Sequence, residues 1–460
     1  MIDRKIQKSE ETTIYFQSKQ NSNNRISFYL FNRNNGAKNI TSVTFRTSSL
    51  RARRRRKTEG NLLRDVYDDM ILDAVQPLRD TFHLLIVGAM KSNRLQDAFF
   101  FRDEMKSMGL PPDVNLYNFL ISACGKTKNS DAAIKLLEEM KNNKVKLKGE
   151  TYICLLNACA ATGRTDQVHA IVRDMTAAGL GLNKFCYAAL IAAFKNKRPT
   201  TDETLAKIIE LVKQSKGWSS VETSSDGGEN LMMNVSEEEL YNIPTAEYAH
   251  RRGFFNRKLT VYHVALHACA GLKSKETMEE VLDMLKQDGH SYDAFIVIQA
   301  IRCYFLCGDT ESAVKMFEDY ISSRPPVVEL YTTLIEGAML EQTPQRMKIA
   351  FDYLEKMNAR GFFLNTRQGS DLLLMTRKWK HGDYVNANYI WDLLQSRKVN
   401  PSLSAVEAYY NGLKVGSFGI IFKSVECLAS VSFQNKCVFV VVLHLSAPYL
   451  ASRLQWGSCL

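Results

Sequence analysis

Cysteine is a residue type in this chain whose spacing could support metal or redox chemistry. Ten cysteines occur in 460 residues, and they stand singly among apolar neighbours. Cys303 and Cys307 lie one helical turn apart, and Cys154 and Cys159 lie five residues apart. Neither pair is accompanied by a second Cys or His pair at zinc-finger spacing. The sequence therefore predicts reduced, core or half-buried thiols and no metal site.

Histidine could supply acid–base catalysis, and His83 and His263 are the candidates for that role. Neither is accompanied by a nucleophile or a pair of carboxylates that recurs at a compatible position. We therefore expect both to be polar lining of a groove. The chain is predicted to be non-enzymatic, with no catalytic residue, no cofactor and no small-molecule substrate.

The net charge of +11 suggests nucleic acid as a partner only if the charge lies on a folded surface. Residues 1–60 hold 14 Lys/Arg and 4 Asp/Glu, which leaves 46 against 45 in the other 400 residues. Residues 219–249 hold seven acids and no Lys or Arg. The folded parts of the chain are therefore only modestly basic.

The elements that position these residues follow from an internal repeat. Met105, Met140 and Met175 are 35 residues apart, and so are the aromatic residues Phe82, Tyr117, Tyr152 and Tyr187. A fixed period of this size indicates a solenoid. Within 114–148 two apolar stripes at helical spacing flank a polar turn, which predicts a pair of helices. Such a pair cannot bury its stripes alone, so the Tyr and Met columns should form the core between stacked pairs.

The predicted fold class is all-α: an α-solenoid of stacked helical hairpins in two blocks. The expected order is a basic, disordered targeting segment (1–60), a capping helix (61–78), a first block of about four repeats (79–218), an acidic disordered linker (219–258), a second block of about four repeats with the last degenerate (259–402), a truncated repeat helix (403–414) and a non-repeat apolar tail (415–460).

The two ends of the chain differ from the repeats. Residues 12–57 contain no acidic residue and are rich in Arg, Ser, Asn and Thr, which is typical of an organellar transit peptide. A nuclear signal or a retained phosphate-binding arm are the alternatives for the Arg-rich cluster 51–57. In the tail, the longest charge-free apolar run, 437–450, is too short for a spanning helix, so no membrane partner is expected. Our hypothesis is that this tail is aberrant sequence, for example translation past an exon boundary.

The sequences "MKSMGLPPD" (105–113) and "YNFLISACG" (117–125) resemble the pentatricopeptide repeat family. The tetratricopeptide repeat is less similar, because its period is 34 and its Trp and Leu-Gly signature is missing. The resemblance covers about 320 residues. Without a zinc-deaminase signature or an editing-type extension, the chain is similar to the plain class of the family, which is abundant in plant organelles.

The resemblance implies that one RNA base is read per repeat by two side chains, one just after the first-helix aromatic and one at the repeat end. The positions that match are His83 with Asp113, Asn118 with Lys148, Ile153 with Asn183, His263 with Asp293, and Thr332 with Asn365. Only Thr332 with Asn365 is a usual base-reading combination. Ile153, Ala188 and Ile298 cannot hydrogen-bond a base edge.

These positions and the resemblance predict a non-catalytic RNA-binding adaptor in mitochondrial RNA metabolism, acting in transcript processing, stability or translation with weak base-specific readout. One alternative is a structural or assembly component of the mitochondrial ribosome that binds ribosomal RNA and protein. The other is a scaffold for proteins only. The expected partners are single-stranded or folded organellar RNA, with ribosomal proteins as further candidates. The expected location is the mitochondrion, before the chloroplast or nucleus.

Overall fold

A computed structural model of the chain describes residues 19–21, 25–30, 41–46, 62–217, 235–376 and 385–415. The expectations for most of the targeting segment, for the first part of the linker and for the apolar tail therefore lie outside the described residues.

The helices of the first half come in consecutive pairs after one leading helix. They are α1 Leu62–Leu72, α2 Arg79–Lys91, α3 Leu95–Ser107, α4 Val114–Lys126, α5 Ser130–Asn142, α6 Gly149–Ala160, α7 Thr165–Ala177, α8 Lys184–Asn196 and α9 Asp202–Gln214. The later helices are the short α10 Glu237–Leu240, then α11 Thr260–Leu272, α12 Lys275–Gln287, α13 Ala294–Leu306, α14 Thr310–Ser323, α15 Val328–Met339, α16 Pro344–Ala359, α17 Thr366–Thr376, α18 Val385–Ser396 and α19 Leu403–Val415.

The chain divides into two compact units, Met1–Ala268 with Val281–Leu285, and Cys269–Glu280 with Lys286–Leu460. In the first unit the first helices of successive pairs, α2, α4, α6 and α8, pack side by side, and each packs on its own second helix. In the second unit α13, α15, α17 and α19 pack in the same order. The predicted all-α solenoid of stacked hairpins is confirmed. The boundary between the two units lies within α11.

The repeat columns lie in the core, as the stacking argument requires. Met105 and Met140 are fully buried and Met175 nearly so, and the aromatic rings of Phe82 and Tyr117 are fully buried. Tyr187 is buried as well, whereas Tyr152 keeps partial exposure. Burying a large apolar side chain contributes about 1.5–3 kcal/mol. The 35-residue period is therefore a packing period.

The turn that ends each second helix is equivalent in the first three repeats. The amides of Leu110, Val145 and Leu180 donate to the carbonyls of the three core methionines at 3.1, 2.9 and 3.1 Å. The residue before each of these amides is left-handed: Gly109 at φ 75°, Lys144 at φ 54° and Gly179 at φ 78°. The second repeat thus keeps the turn with Lys144 in place of the glycine that usually occupies this position.

Helix α1 lies against the open side of the first hairpin. The Tyr67 ring packs 5.6 Å from Phe101, and its hydroxyl donates to Glu104 at 2.8 Å. The buried Asp97 carboxylate accepts from Arg64 at 2.6 Å. The helix ends at Leu72, so it is shorter than the 61–78 that the apolar spacing predicted.

Three short strands in the N-terminal segment were not predicted. β1 Lys19–Asn21, β2 Arg25–Leu30 and β3 Thr41–Arg46 form an antiparallel sheet in that order, with Lys19 paired to Ser27 and Arg25 to Arg46. The segments "RISFYL" and "TSVTFR" are rich in β-branched and aromatic residues, which favour strands.

Residues 235–258, which we call the inserted segment, are ordered, so the predicted disorder of 219–258 is wrong for this part. It contains α10 and short 3₁₀ turns at Ala246–Tyr248 and Arg257–Leu259, the last of which ends one residue beyond the segment. Its apolar residues Leu240, Tyr241 and Ile243 are 2–4% exposed. Because these side chains directly follow three consecutive acids, Glu237 to Glu239, composition alone pointed to a solvated linker.

The tight packing of first helices in the second unit generates a stability prediction. A Cβ at Gly337 would overlap the Phe305 ring, so Gly337→Ala should overpack and lower the free energy of unfolding by about 1–3 kcal/mol. Gly149→Ala is the control, because a Cβ there meets no atom within 4 Å. Chemical denaturation of both variants measures the difference; equal stabilities would contradict this packing.

Candidate nucleic-acid interface

The candidate base-reading residues on the first helices are all buried. The surface of α2, α4, α6 and α8 that carries the first four of them, His83, Asn118, Ile153 and Ala188, is called here the first-helix face. Their exposed fractions are at most 6%, for His83, Asn118, Ile153, Ala188, His263, Ile298 and Thr332. In each case the neighbouring helices of the stack leave little room for a base edge. The structure thus places these residues at equivalent positions, but it does not present them to solvent.

The candidates at the repeat ends are the residues that cap the next first helix. Asp113 accepts from the Leu116 amide at 2.9 Å, and Asp293 accepts from the Ile296 amide at 3.0 Å. Asn183 and Asn365 cap in the same way, through the amides of Cys186 at 3.2 Å and Gln368 at 2.8 Å. Lys148 occupies the cap position of α6 with an exposed side chain. Asp or Asn just before a helix is an N-cap signal that could have been recognised in the sequence.

One pair of candidates is joined directly. His83 Nε2 lies 3.1 Å from an Asp113 carboxylate oxygen, and Arg79 lies 3.7 Å from the other oxygen. Burial raises the pKa of the Asp113 carboxyl, but the hydrogen bonds of His83 and the Leu116 amide, with the Arg79 charge, bring it below its ordinary value. The His83 imidazole and the Asp113 carboxylate therefore satisfy each other's hydrogen-bonding capacity before any base is present.

The other first-helix candidates differ in how their polar atoms are satisfied. The Thr332 hydroxyl donates to the Glu329 carbonyl of its own helix at 3.2 Å. Asn118 is 2% exposed, and its side-chain oxygen has no hydrogen-bond partner among the described residues. An unpaired buried acceptor of this kind costs about 1–3 kcal/mol. Asn118 is therefore a candidate position with unused hydrogen-bonding capacity.

Two lysines that the sequence reasoning missed lie at the carboxyl ends of α2 and α4. Lys91 and Lys126 are 35 residues apart, so they occupy the same position of adjacent repeats. Lys91 lies 3.2 Å from the Glu239 carboxylate of the inserted segment. Burial lowers the pKa of Lys126, an effect that Glu239 opposes and Lys91 reinforces. The 35-residue spacing of these two lysines could have identified them in the sequence as equivalent residues of adjacent repeats.

The cysteines and acidic residues form no metal centre in the described part of the chain, where no three His, Cys, Asp or Glu side chains are grouped to hold an ion. Cys124, Cys154, Cys159, Cys186, Cys269 and Cys303 are buried free thiols, and Cys307 is exposed. Burial raises the pKa of the Cys124 thiol to about 12, so it stays protonated at neutral pH. None of the described helices has the length and apolarity needed to cross a membrane.

The stacked hairpins and their repeat-end caps define a helical-repeat protein of 35-residue period. Residues 112–161 match the profile of the PPR repeat family, 65–127 match the pentatricopeptide repeat domain and 150–180 match the PPR repeat. The chain is 55% identical over 381 residues to pentatricopeptide repeat-containing protein At4g35850, mitochondrial, of Arabidopsis thaliana, covering 83% of this chain and 85% of that protein. The chain belongs to the pentatricopeptide repeat family, and its predicted mitochondrial location is confirmed by this relative.

Solved structures similar to the chain include two of the pentatricopeptide repeat protein PPR10. One, in complex with an 18-nt psaJ RNA element, has 19% identity and a TM-score of 0.33, and the match covers 78% of this chain and 51% of that one. The other, from maize, has 18% identity and a TM-score of 0.33, with 82% and 56% covered. The chain thus spans about half the length of PPR10.

The pairing of His83 with Asp113 predicts a pH-dependent stability. Asp113→Asn keeps a cap for the Leu116 amide but removes the charge, and should lower the free energy of unfolding at pH 7 by about 1 kcal/mol. Because the folded pKa of Asp113 is depressed, its contribution is complete above about pH 4, the unfolded value, and is lost as the pH falls through the lower folded value.

Urea denaturation between pH 7 and pH 3 tests this expectation. The difference between wild type and Asp113→Asn should shrink toward the acid end. Asp166→Asn is the control, since it makes the same change at an exposed position in the first turn of α7. A difference that stays constant over this pH range would show that the charge of Asp113 does not stabilise the fold.

Proposed function

We propose that the chain is a non-catalytic RNA-binding adaptor in mitochondrial RNA metabolism, acting in transcript processing, stability or translation, that holds RNA mainly through its phosphate backbone and reads bases weakly. Membership of the pentatricopeptide repeat family and the mitochondrial relative support the class and compartment. The observation that carries the weak readout is the burial of every first-helix candidate from His83 to Thr332.

The usual base-reading pair of the chain, Thr332 with Asn365, supports the same conclusion. The Thr332 hydroxyl donates to the Glu329 carbonyl of its own helix. The Asn365 side-chain oxygen accepts from the Gln368 backbone amide, and the Asn365 backbone amide donates to the Gln368 side chain. Reading a base would require both side chains to leave these partners. The free energy of those bonds would then be subtracted from the discrimination between bases, about 1–3 kcal/mol for a good pair.

A second function is a structural role in the mitochondrial ribosome, with contacts to folded ribosomal RNA and protein. The observation that favours it is the inserted segment, which packs on α4 and covers part of the first-helix face. A face covered in this way is poorly suited to threading a single strand through successive repeats. Outer surfaces of the hairpins would then make the contacts.

Salt dependence and substitution together test the adaptor proposal. The full chain should bind a random-sequence 20-nucleotide RNA with an affinity that falls steeply with salt, by a logarithmic slope of about −0.7 per phosphate contacted. The double change Thr332→Val and Asn365→Ala should alter the affinity and the selected bases by less than about threefold, below the roughly fivefold that 1 kcal/mol of base readout would give. Selection sequencing on both proteins measures this.

Two results would contradict the proposal in different ways. A single base position whose preference changes in the double variant would show that Thr332 and Asn365 do read RNA. Binding that is absent at low salt would argue against an RNA-binding role altogether. The control is the double change Glu311→Gln and Glu355→Gln, at second-helix positions outside the base-reading pair.

Sedimentation of mitochondrial extract separates the two functions. If the ribosomal role is correct, the chain should migrate with one ribosomal subunit in near-stoichiometric amount, and it should remain there at moderate salt because protein contacts add to the phosphate contacts. Migration in light fractions, together with crosslinks to a few transcripts, would support the adaptor role and contradict the ribosomal one.

A further inference from the structure

The inserted segment is anchored in the first unit by apolar contacts. Tyr241 is 2% exposed, and its ring lies 4.9 Å from the ring of Phe185 at the start of α8. Leu240 and Ile243 flank it and are equally buried. Three buried apolar side chains within four residues are more than a solvated linker would carry, because each contributes about 1.5–3 kcal/mol when buried. The segment is therefore held in one place.

The place it occupies is the first-helix face. The Asn242 side chain donates to the Ser122 carbonyl at 3.0 Å, and the Ser122 hydroxyl donates back to Asn242 at 3.5 Å. Ser122 lies one turn beyond Asn118 on the same side of α4. A Cβ at Gly125 would lie 2.9 Å from the Asn242 amide nitrogen and 3.3 Å from Ala158 Cα, so Asn242 sits near the seam between α4 and α6.

The charges of the segment match the basic groups of this face. One Glu239 oxygen lies 3.2 Å from Lys91 and the other accepts from the Ser236 amide at 3.0 Å, which fixes the carboxylate. Glu239 also acts on Lys126, the equivalent residue of the next repeat. At Glu237, two residues earlier, burial raises the pKa and outweighs the opposing charge of Lys184, so Glu239 is the better placed anion. A carboxylate held beside a lysine at the end of a first helix resembles a phosphate held at the same place.

We propose that the inserted segment is an intramolecular competitor of RNA, whose Glu239 carboxylate takes the position of a phosphate beside Lys91 while Tyr241 and Asn242 cover the base-facing seam. The inference rests on the RNA-binding function proposed above. The first unit then binds RNA only in the fraction of molecules whose segment is released, and its apparent affinity is reduced by that fraction. The ligand that displaces the segment is single-stranded RNA.

Two substitutions weaken the docked state by different means. Tyr241→Ala removes the ring that packs on Phe185, and Glu239→Gln removes the charge beside Lys91 while a glutamine still accepts from the Ser236 amide. We expect affinity for a random-sequence 20-nucleotide RNA to rise about tenfold for Tyr241→Ala and by a smaller factor for Glu239→Gln. Glu247→Gln makes the same chemical change at an exposed position of the segment and should bind like wild type.

Hydrogen exchange of the amides of 237–243 reports docking independently of RNA affinity. Exchange should be faster in Tyr241→Ala, and saturating RNA should accelerate it in wild type. If exchange is faster in the variant but its RNA affinity equals that of wild type, the competition is overturned and the RNA-binding function stands. If neither protein binds RNA, the proposed function itself is overturned. If Tyr241→Ala loses its helical signal, the wild-type measurement decides, and exchange that RNA leaves unchanged overturns the inference.

Discussion

The structure depends on one constraint: a hairpin of two helices of about thirteen residues cannot bury both of its apolar stripes by itself. Each pair must therefore pack on the next, and the side chains that make this contact have to recur at the repeat period. Met105, Met140 and Met175 show the result, since all three are buried and their carbonyls accept the amides that close the turns. The same three residues thus pack the core and close the turns, so the stacking of the hairpins and the geometry of their turns depend on one repeated position.

Close stacking also determines what the first-helix face can do. When α2, α4, α6 and α8 pack side by side, the residue after each aromatic lies between neighbouring helices. Small or apolar side chains such as Ala188 and Ile153 fit there without cost, and polar ones must find partners. His83 finds Asp113, whereas the Asn118 oxygen has none among the described residues. The chemistry of this face is therefore limited by packing before any ligand is considered.

The sequence predicted the periodic part of the structure well because packing in a solenoid is local. The aromatic and methionine columns, the hairpins and the fold class follow from residues at most one repeat apart. The roles of the repeat-end residues were harder to predict, since an Asp before a helix serves equally as a cap and as a base-reading group; Asp113 and Asp293 are caps in the structure. Whether they also read bases stays a prediction.

The inserted segment could not be placed from sequence because its partners are distant along the chain. Asn242 bonds to Ser122, which is 120 residues earlier, and no period relates the two. Its acids suggested solvation, yet Glu238 is 1% exposed with Arg257 as its ionic neighbour at 3.3 Å. Burying a carboxylate is costly unless the site supplies positive charge. For Glu238 that charge comes from Arg257 of the segment itself, and for the neighbouring Glu239 it comes from Lys91 of the repeat. The array therefore provides, at the end of a first helix, a surface on which an anion can be held.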